Sequence, residues 1–317
     1  MGFFIWIFML RIKLNKASPD CKKIIATIGN FDGLHRGHWQ LIKKLNEVAK
    51  AENARSMVIT FDTLPHEYFA DQSGTIRTPR ISLLRDKVMI LAESKLVDEV
   101  VVFHFNASMA KLSADEFIKN YLEEKLKIDQ MIVGHDFRFG AKARGTIADL
   151  IRHGIVTDKF IEIRHKEVRV SSSLIRELAS EQQLGLIHDY LGRNIRYTSR
   201  IVRGNQLARK FGMPTINLNL CKIRPILWGI YVSYVYIDGV RYNGVTNIGK
   251  NPTVSEGKVY KIETHLLDVN TDLYGKIATV EILEYLRPEL KFDDLDTLFK
   301  QMYKDMDDAR DFFVRAN

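Results

Sequence analysis

Apolar positions in the first half of the chain recur in two alternating rhythms. Short runs rich in β-branched residues at 23–28, 57–61, 99–103, 130–133 and 160–163 predict strands. Between them Leu41, Ile42, Leu45, Val48 and Ala49 fall at helical spacing, as do Leu84, Val88 and Leu91, and then Phe117, Ile118, Tyr121 and Leu122. Strands separated by helices of this length predict a doubly wound parallel sheet covered on both faces, with ligands at the carboxyl ends of its strands.

After Leu184 the helical rhythm fades. Runs at 201–202, 229–237, 240–248, 261–268 and 277–286 are strand-like, with little helix between them. Asp238-Gly239 is a two-residue hairpin signal, because both central positions of a type I′ turn need positive φ. A small antiparallel β-barrel follows. Leu295, Leu298, Phe299 and Met302 then predict a closing helix, with acidic residues around Asp293 at its start. The reading is α/β plus β: an N-terminal extension over 1–22, a Rossmann-like doubly wound domain over 23–184, and a barrel domain with a C-terminal helix over 185–317.

Composition narrows the class. The chain has 317 residues, 46% hydrophobic and 27% charged, which excludes a disordered tail, a collagen or a membrane bundle. The net charge of +8 favours anionic partners. Its excess sits between Tyr190 and Ile237, a stretch with no acidic residue that holds Arg193, Arg196, Arg200, Arg203, Arg209, Lys210, Lys222 and Arg224. Two distant cysteines, Cys21 and Cys221, suggest neither a disulfide framework nor a zinc site and fit a reducing cytoplasm. The apolar run at 2–10 is half the ~20 residues a spanning helix needs and lacks a basic flank. It reads as a peripheral strand or an addition from an upstream start codon, with a weak membrane anchor as the rival.

Candidate chemistry begins where residues 24–28 run into Gly29-Asn30-Phe31-Asp32-Gly33-Leu34-His35-Arg36-Gly37-His38 and a helix. A glycine-rich turn lets backbone approach a phosphate, and the helix N-terminus adds free N–H groups and partial positive charge. His35 and His38 are three apart, so both imidazoles can face one anion, with Gly37 opening the space between them. Metal ligation is the rival, although the HExxH spacing and its glutamate are missing; capping and core packing is the plainer alternative. Ser171-Ser172-Ser173 before Leu174-Ile175-Arg176 is an ordinary helix start that could also hold phosphate through Ser172, Ser173 and Arg176.

Together GNFDGLHRGH and VSSSLIR resemble the HxGH nucleotidyltransferase superfamily. VGHDFRFG at 133–140, FDTLPHEYF at 61–69, and GMPTIN, NGVTNIGKNPTV and ETHLLDVNTDLYGK in the second half narrow the resemblance to the bacterial bifunctional riboflavin kinase/FAD synthetases. It runs in order from about Lys23 to near the end. The resemblance implies two ATP- and Mg²⁺-dependent steps: riboflavin to FMN in the second half, then FMN to FAD with release of pyrophosphate in the first. It implies that His35, His38 and Arg176 are catalytic in adenylyl transfer, and that Gly29, Phe31, Asp32, Gly37, Ser172 and Ser173 bind ATP. Phe61, Asp136, Phe137, Arg138 and Arg287 would lie near flavin, with Phe137 and Phe139 equally open to a core role.

In the basic tract Gly204, Arg209, Gly212 and Pro214 match the family's kinase ATP loop, and Thr215 and Asn217 alternate onto one face where both could reach one Mg²⁺. Glu263 stands in an alternating apolar strand where an unpaired carboxylate is costly, and it matches the family's catalytic base; pairing with an arginine is the structural alternative. Ala208 and Ser199 replace glycines of the family pattern, Thr63 and Leu64 replace proline and histidine, and Ala143 replaces a common basic residue. Loss of the kinase step alone is therefore one alternative. The other is RNA binding by the tract at 190–237, although no recognition helix or stacking aromatics accompany it. Neither a nucleic-acid partner nor a membrane is expected.

Overall fold

The computed structural model describes residues 9–14, 23–160, 169–204, 215–250, 260–269 and 273–316. Compactness divides the chain into two units, Met1–Thr78 with Lys87–Ser171, and Pro79–Asp86 with Ser172–Asn317.

The first unit begins with strand β1 (Met9–Lys13) and continues through β2 (Ile24–Ile28), helix α1 (Arg36–Ala51), β3 (Arg55–Phe61), α2 (Pro65–Gln72) and α3 (Leu84–Ser94). Then come β4 (Glu99–Phe103), the short helices α4 (Ala107–Lys111) and α5 (Ala114–Phe117), β5 (Gln130–Gly134), α6 (Ile147–Arg152) and β6 (Val156–Phe160). The sheet order is β1-β4-β3-β2-β5-β6. β2 pairs in parallel with β3 on one side and β5 on the other, so the winding reverses beside β2. Such a reversal opens a crevice at the carboxyl ends of the strands. β2 is buried at all five positions, and α1 lays Ile42, Leu45 and Ala49 on the sheet.

Two expectations need correcting. The sheet is mixed, because the end of the apolar run at 2–10 joins β1, which pairs antiparallel with β4; residues 2–8 lie outside the described set. Beneath it the buried Glu99 carboxylate accepts from Arg11 Nε at 2.8 Å and Arg55 Nη1 at 3.4 Å. The last strand lies at Val156–Phe160, earlier than the expected 160–163, of which 161–163 are outside the described residues. As an edge strand it pairs only with β5 and is half-exposed throughout, so it carries no apolar signature.

The second unit contains α7 (Ser172–Ser180) and α8 (Leu184–Leu191), then β7 (Arg196–Val202), β8 (Thr215–Cys221), β9 (Gly229–Ile237), β10 (Val240–Lys250), β11 (Tyr260–Leu266), β12 (Ile277–Arg287) and α9 (Leu295–Ala316). The six strands close a barrel in the order β10-β11-β8-β7-β12-β9. Asp238 and Gly239 take φ of 51° and 82°, as the hairpin requires. β8 was legible only as an extended segment at its start, yet Ile216, Leu218 and Leu220 alternate into the barrel core. Inside, Ser233, Thr246 and Thr264 satisfy one another through hydroxyl contacts of 2.7 and 2.8 Å. Helix α9 packs Phe299, Met306, Ala309 and Phe313 with Val232 and Leu267.

The early segment Pro79–Asp86 belongs to this unit by its contacts. The Arg80 N–H donates to the Arg224 carbonyl at 2.7 Å, and the buried Asp86 carboxyl accepts from the Leu83 N–H at 3.3 Å and from Thr198. Burial pushes the Asp86 pKa up to about 7, against the opposing hydrogen bonds from Thr198 and the charge of Arg196. Among the described residues no helix is long and apolar enough to cross a membrane.

Candidate active site

Local sequence builds the constellation in the first unit. Gly29 leaves β2 with its N–H on the Ile59 carbonyl at 3.0 Å. Phe31 and Leu34 both adopt φ of 45°, and Gly33 adopts 86°, which folds the turn back tightly before α1. His35 is the N-cap: its Nδ1 accepts from the His38 N–H at 3.4 Å. The two imidazoles stack with centroids 3.6 Å apart, and Phe31 meets the His38 ring edge-on at 5.2 Å. Asp32, His35 and Gly37 are buried while His38 is half-buried. The turn therefore brings Gly29, Phe31, Asp32, His35, Gly37 and His38 together at a helix N-terminus beside the reversal of the sheet. The capping alternative is also true of His35, because capping is what orients it. Among the described residues no group of three or more His, Cys, Asp or Glu could hold a metal ion.

A residue not anticipated from sequence fixes this turn. Lys87 is 1% exposed, and its ammonium donates to the Asn30 carbonyl at 2.6 Å and to Thr60 Oγ1 at 3.0 Å. Thr60 Oγ1 in turn donates to the Asn30 carbonyl at 3.2 Å. A signal existed: Leu84, Lys87, Val88 and Leu91 share one helical face, so the lysine occupies a position where core residues are expected.

At the carboxyl ends of β3 and β4, Phe61 lies with its ring 6.2 Å from Phe103 and 5.9 Å from Phe105. Asp136 is exposed and paired with Arg169 at 3.2 Å, and Arg138 Nη1 donates to the Phe137 carbonyl at 2.9 Å. Phe139 belongs to the buried core, and the half-buried Phe137 stacks on it at 5.4 Å. Leu64 is fully buried as the N-cap of α2, so the departure from histidine there is a packing choice. Ser172, Ser173 and Arg176 open α7 in the barrel unit; Ser173 is exposed, and Arg176 Nε donates to the Pro79 carbonyl at 2.6 Å.

In the second unit the candidates come from neighbouring strands. Glu263 on β11 faces Asn217 of β8 on one side and Asn247 of β10 on the other. Thr215 faces His265 one step along. Asn217 Nδ2 lies 3.5 Å from Thr215 Oγ1. A Cβ on Gly204 would lie 2.5 Å from the Asn217 amide, so glycine there lets the backbone close on it. Glu263 is ion-paired at 2.9 Å, with Lys261 of its own strand rather than with an arginine. Thr215 and Asn217 offer oxygens that fit a hard cation such as Mg²⁺, with the Glu263 carboxylate opposite Asn217.

Glu263, Thr215 and Asn247 line a pocket of about 350 Å³ whose other wall is α9, through Phe299, Met302 and Met306. Arg287 also lines it, but Asp305 on α9 holds its guanidinium through contacts of 2.8 and 2.6 Å, and Nη1 donates to the Pro288 carbonyl. Arg209, Gly212 and Pro214, with Ala208, lie outside the described residues. Ser199 sits in β7 opposite Ala278. Of the basic tract, Arg193 and Arg200 donate to the carbonyls of Leu191 and Gly275.

Comparison with known proteins agrees with this two-part construction. The FAD synthetase family model matches residues 17–174 and the riboflavin kinase model matches 191–313. The bifunctional riboflavin kinase/FMN adenylyltransferase of Haemophilus influenzae is 36% identical over 95% of this chain and 97% of its own length. That of Escherichia coli K12 is 37% identical over 91% and 92%. The crystal structure of a macrolide-efflux protein from Streptococcus pneumoniae superposes with a TM-score of 0.70 at 25% identity, covering 94% of this chain and 97% of that one. With both halves matched, in order, by relatives of nearly the same length, the chain belongs to the bifunctional riboflavin kinase/FMN adenylyltransferase family.

Proposed function

We propose that this chain makes FAD from riboflavin in two ATP-dependent steps, with residues 185–317 as the kinase module and 23–184 as the adenylyltransferase module. The observation that carries the reading is the presence of two separate constellations, each suited to its own ATP: the stacked histidines of one turn, and Thr215 and Asn217 beside Glu263 across two barrel strands.

In the kinase step the Glu263 carboxylate takes the proton of the riboflavin 5′-hydroxyl as that oxygen attacks the γ-phosphorus of ATP, and ADP leaves. Lys261 steadies the carboxylate from its own strand. Thr215 and Asn217 would hold Mg²⁺, which when bound neutralises charge on the triphosphate. Gly204, Arg209, Gly212 and Pro214, which match the family's ATP-binding pattern, would receive the nucleotide. Asn217 lies close against Gly204, where only a glycine leaves room for its amide.

In the adenylyl step a phosphate oxygen of FMN attacks the α-phosphorus of a second ATP, and pyrophosphate leaves. His35 and His38, with the α1 N-terminus, stabilise the charge that builds on the phosphates. Gly29, Phe31, Asp32 and Gly37 shape the nucleotide side, and Ser172, Ser173 and Arg176 serve the triphosphate. Phe61, Asp136, Phe137 and Arg138 serve the flavin of this module, while Arg287, fixed by Asp305, shapes the flavin pocket of the other. No covalent intermediate is needed, because positioning and charge neutralisation suffice for this transfer. The site of action is the cytoplasm, where ATP is supplied.

Purified protein incubated with riboflavin, ATP and Mg²⁺ should form FMN first and FAD second. Folded protein that forms neither product rejects the reading. FAD from added FMN, with no FMN from riboflavin, would leave only the adenylyltransferase.

A further inference from the structure

Asn247 is a polar residue of the barrel pocket that the two-step scheme leaves without a task. It lies on β10 directly opposite Glu263 and lines the same cavity. Its Oδ1 is fully buried and accepts no hydrogen bond. Turning the amide over would only bury its NH₂ in the same position. Nearby groups do not supply a donor: Ile230 stands opposite on β9, and Val245 and Gly249 flank Asn247 on its own face of β10. The pocket's cations are engaged elsewhere, Lys261 by Glu263 and Arg287 by Asp305 and the Pro288 carbonyl. A buried carbonyl oxygen is ordinarily satisfied, and the molecule that fills the pocket is a source of the donor that these neighbours do not offer.

Directly opposed residues in a sheet hold their Cβ atoms about 5 Å apart. A chain of adjacent hydroxyls laid across them can therefore offer one to each side chain. We propose that Asn247 is a specificity-determining residue of the kinase module: its carboxamide accepts a hydrogen bond from the hydroxyl next to the one that reacts at Glu263. The module thereby selects a polyol acceptor over a lone primary alcohol. This rests on the kinase reading of the barrel.

The test is a cycle of wild type, Asn247→Ala and Asn247→Ser against riboflavin and its 4′-deoxy analogue. The readout is kcat/KM for phosphorylation, with flavin affinity by fluorescence quenching in the presence of ADP and Mg²⁺. Wild type should disfavour the deoxy analogue by about tenfold or more. In Asn247→Ala that preference should shrink to within about twofold, because riboflavin loses efficiency while the analogue does not; serine should restore part of it. FAD formation from added FMN should stay at the wild-type rate in both variants and report that the chain is folded. Equal discrimination in wild type and Asn247→Ala overturns the proposal, as does a wild type indifferent to the 4′-hydroxyl. The wild-type comparison decides even if the alanine variant misfolds. If wild type forms no FMN, the kinase reading fails by itself, and the fluorescence titrations still decide whether Asn247 contacts this hydroxyl.

Discussion

The two constellations are assembled by different routes. In the first unit, residues 29–38 run continuously from a turn into α1, and its histidines meet because His35 caps the helix whose first turn carries His38. In the barrel, Asn217, Glu263 and Asn247 meet only through strand register, across 46 residues of chain. A contiguous site survives wherever its turn is intact, whereas a register-built site depends on every strand of the barrel being correctly paired. The lesson is that local geometry can be read from a motif, but the companions of Glu263 become visible only once the sheet is closed.

If the two sites are independent, the largest effects should be selective. His38→Ala should lower FAD formation from FMN by roughly 10²–10³-fold and leave FMN formation unchanged. Glu263→Gln should lower FMN formation by roughly 10²–10⁴-fold and spare FAD formation. Assays of each half-reaction check both, and loss of both activities in either folded variant breaks the comparison. Lys87→Met should have a smaller effect on FAD formation, about tenfold, because the Asn30 carbonyl and Thr60 lose a buried donor worth ~1–3 kcal/mol to the turn. FMN formation again serves as the control.

Stability should separate the units by pH window. Asp86 titrates near 7 when folded, against an ordinary 3.8, so the native state holds its proton more tightly. Its stabilising contribution is complete below the ordinary value and is lost as pH rises to about 7. Asp86→Asn should match wild type in thermal melts at acid pH and exceed it at pH ~8. The smallest effect belongs to His153, whose pKa is raised first by its hydrogen bond to Asp115 and further by Glu123. That contribution is complete below the ordinary 6.5 and disappears as pH climbs through the raised value. His153→Gln should flatten the melting temperature in that upper window alone.

Legibility followed the same division. The buried β2 and the histidine turn announce themselves through apolar runs and glycine spacing. β6 does not, because an edge strand with half-exposed residues has no need of apolar alternation. Lys87 escaped notice because a lysine between an aspartate and a valine reads as solvent-facing until its helical face is counted. The pairing of Glu263 with Lys261 follows from two residues sharing one side of a strand, yet a carboxylate's preferred partner among several cations is set by packing. Arg287 carried a flavin-side expectation that pattern alone could not refine; Asp305 on a distant helix claims its guanidinium.

The opening strand sets a practical limit on shortening this polypeptide. Trimming to Lys23, where the recognisable motifs begin, would strip β1 from β4 and leave an open row of amides and carbonyls ready to zip onto another molecule. It would also remove one of the two arginines that neutralise Glu99. A shortened version that keeps Met9 onward should stay monodisperse where one starting at Lys23 clumps.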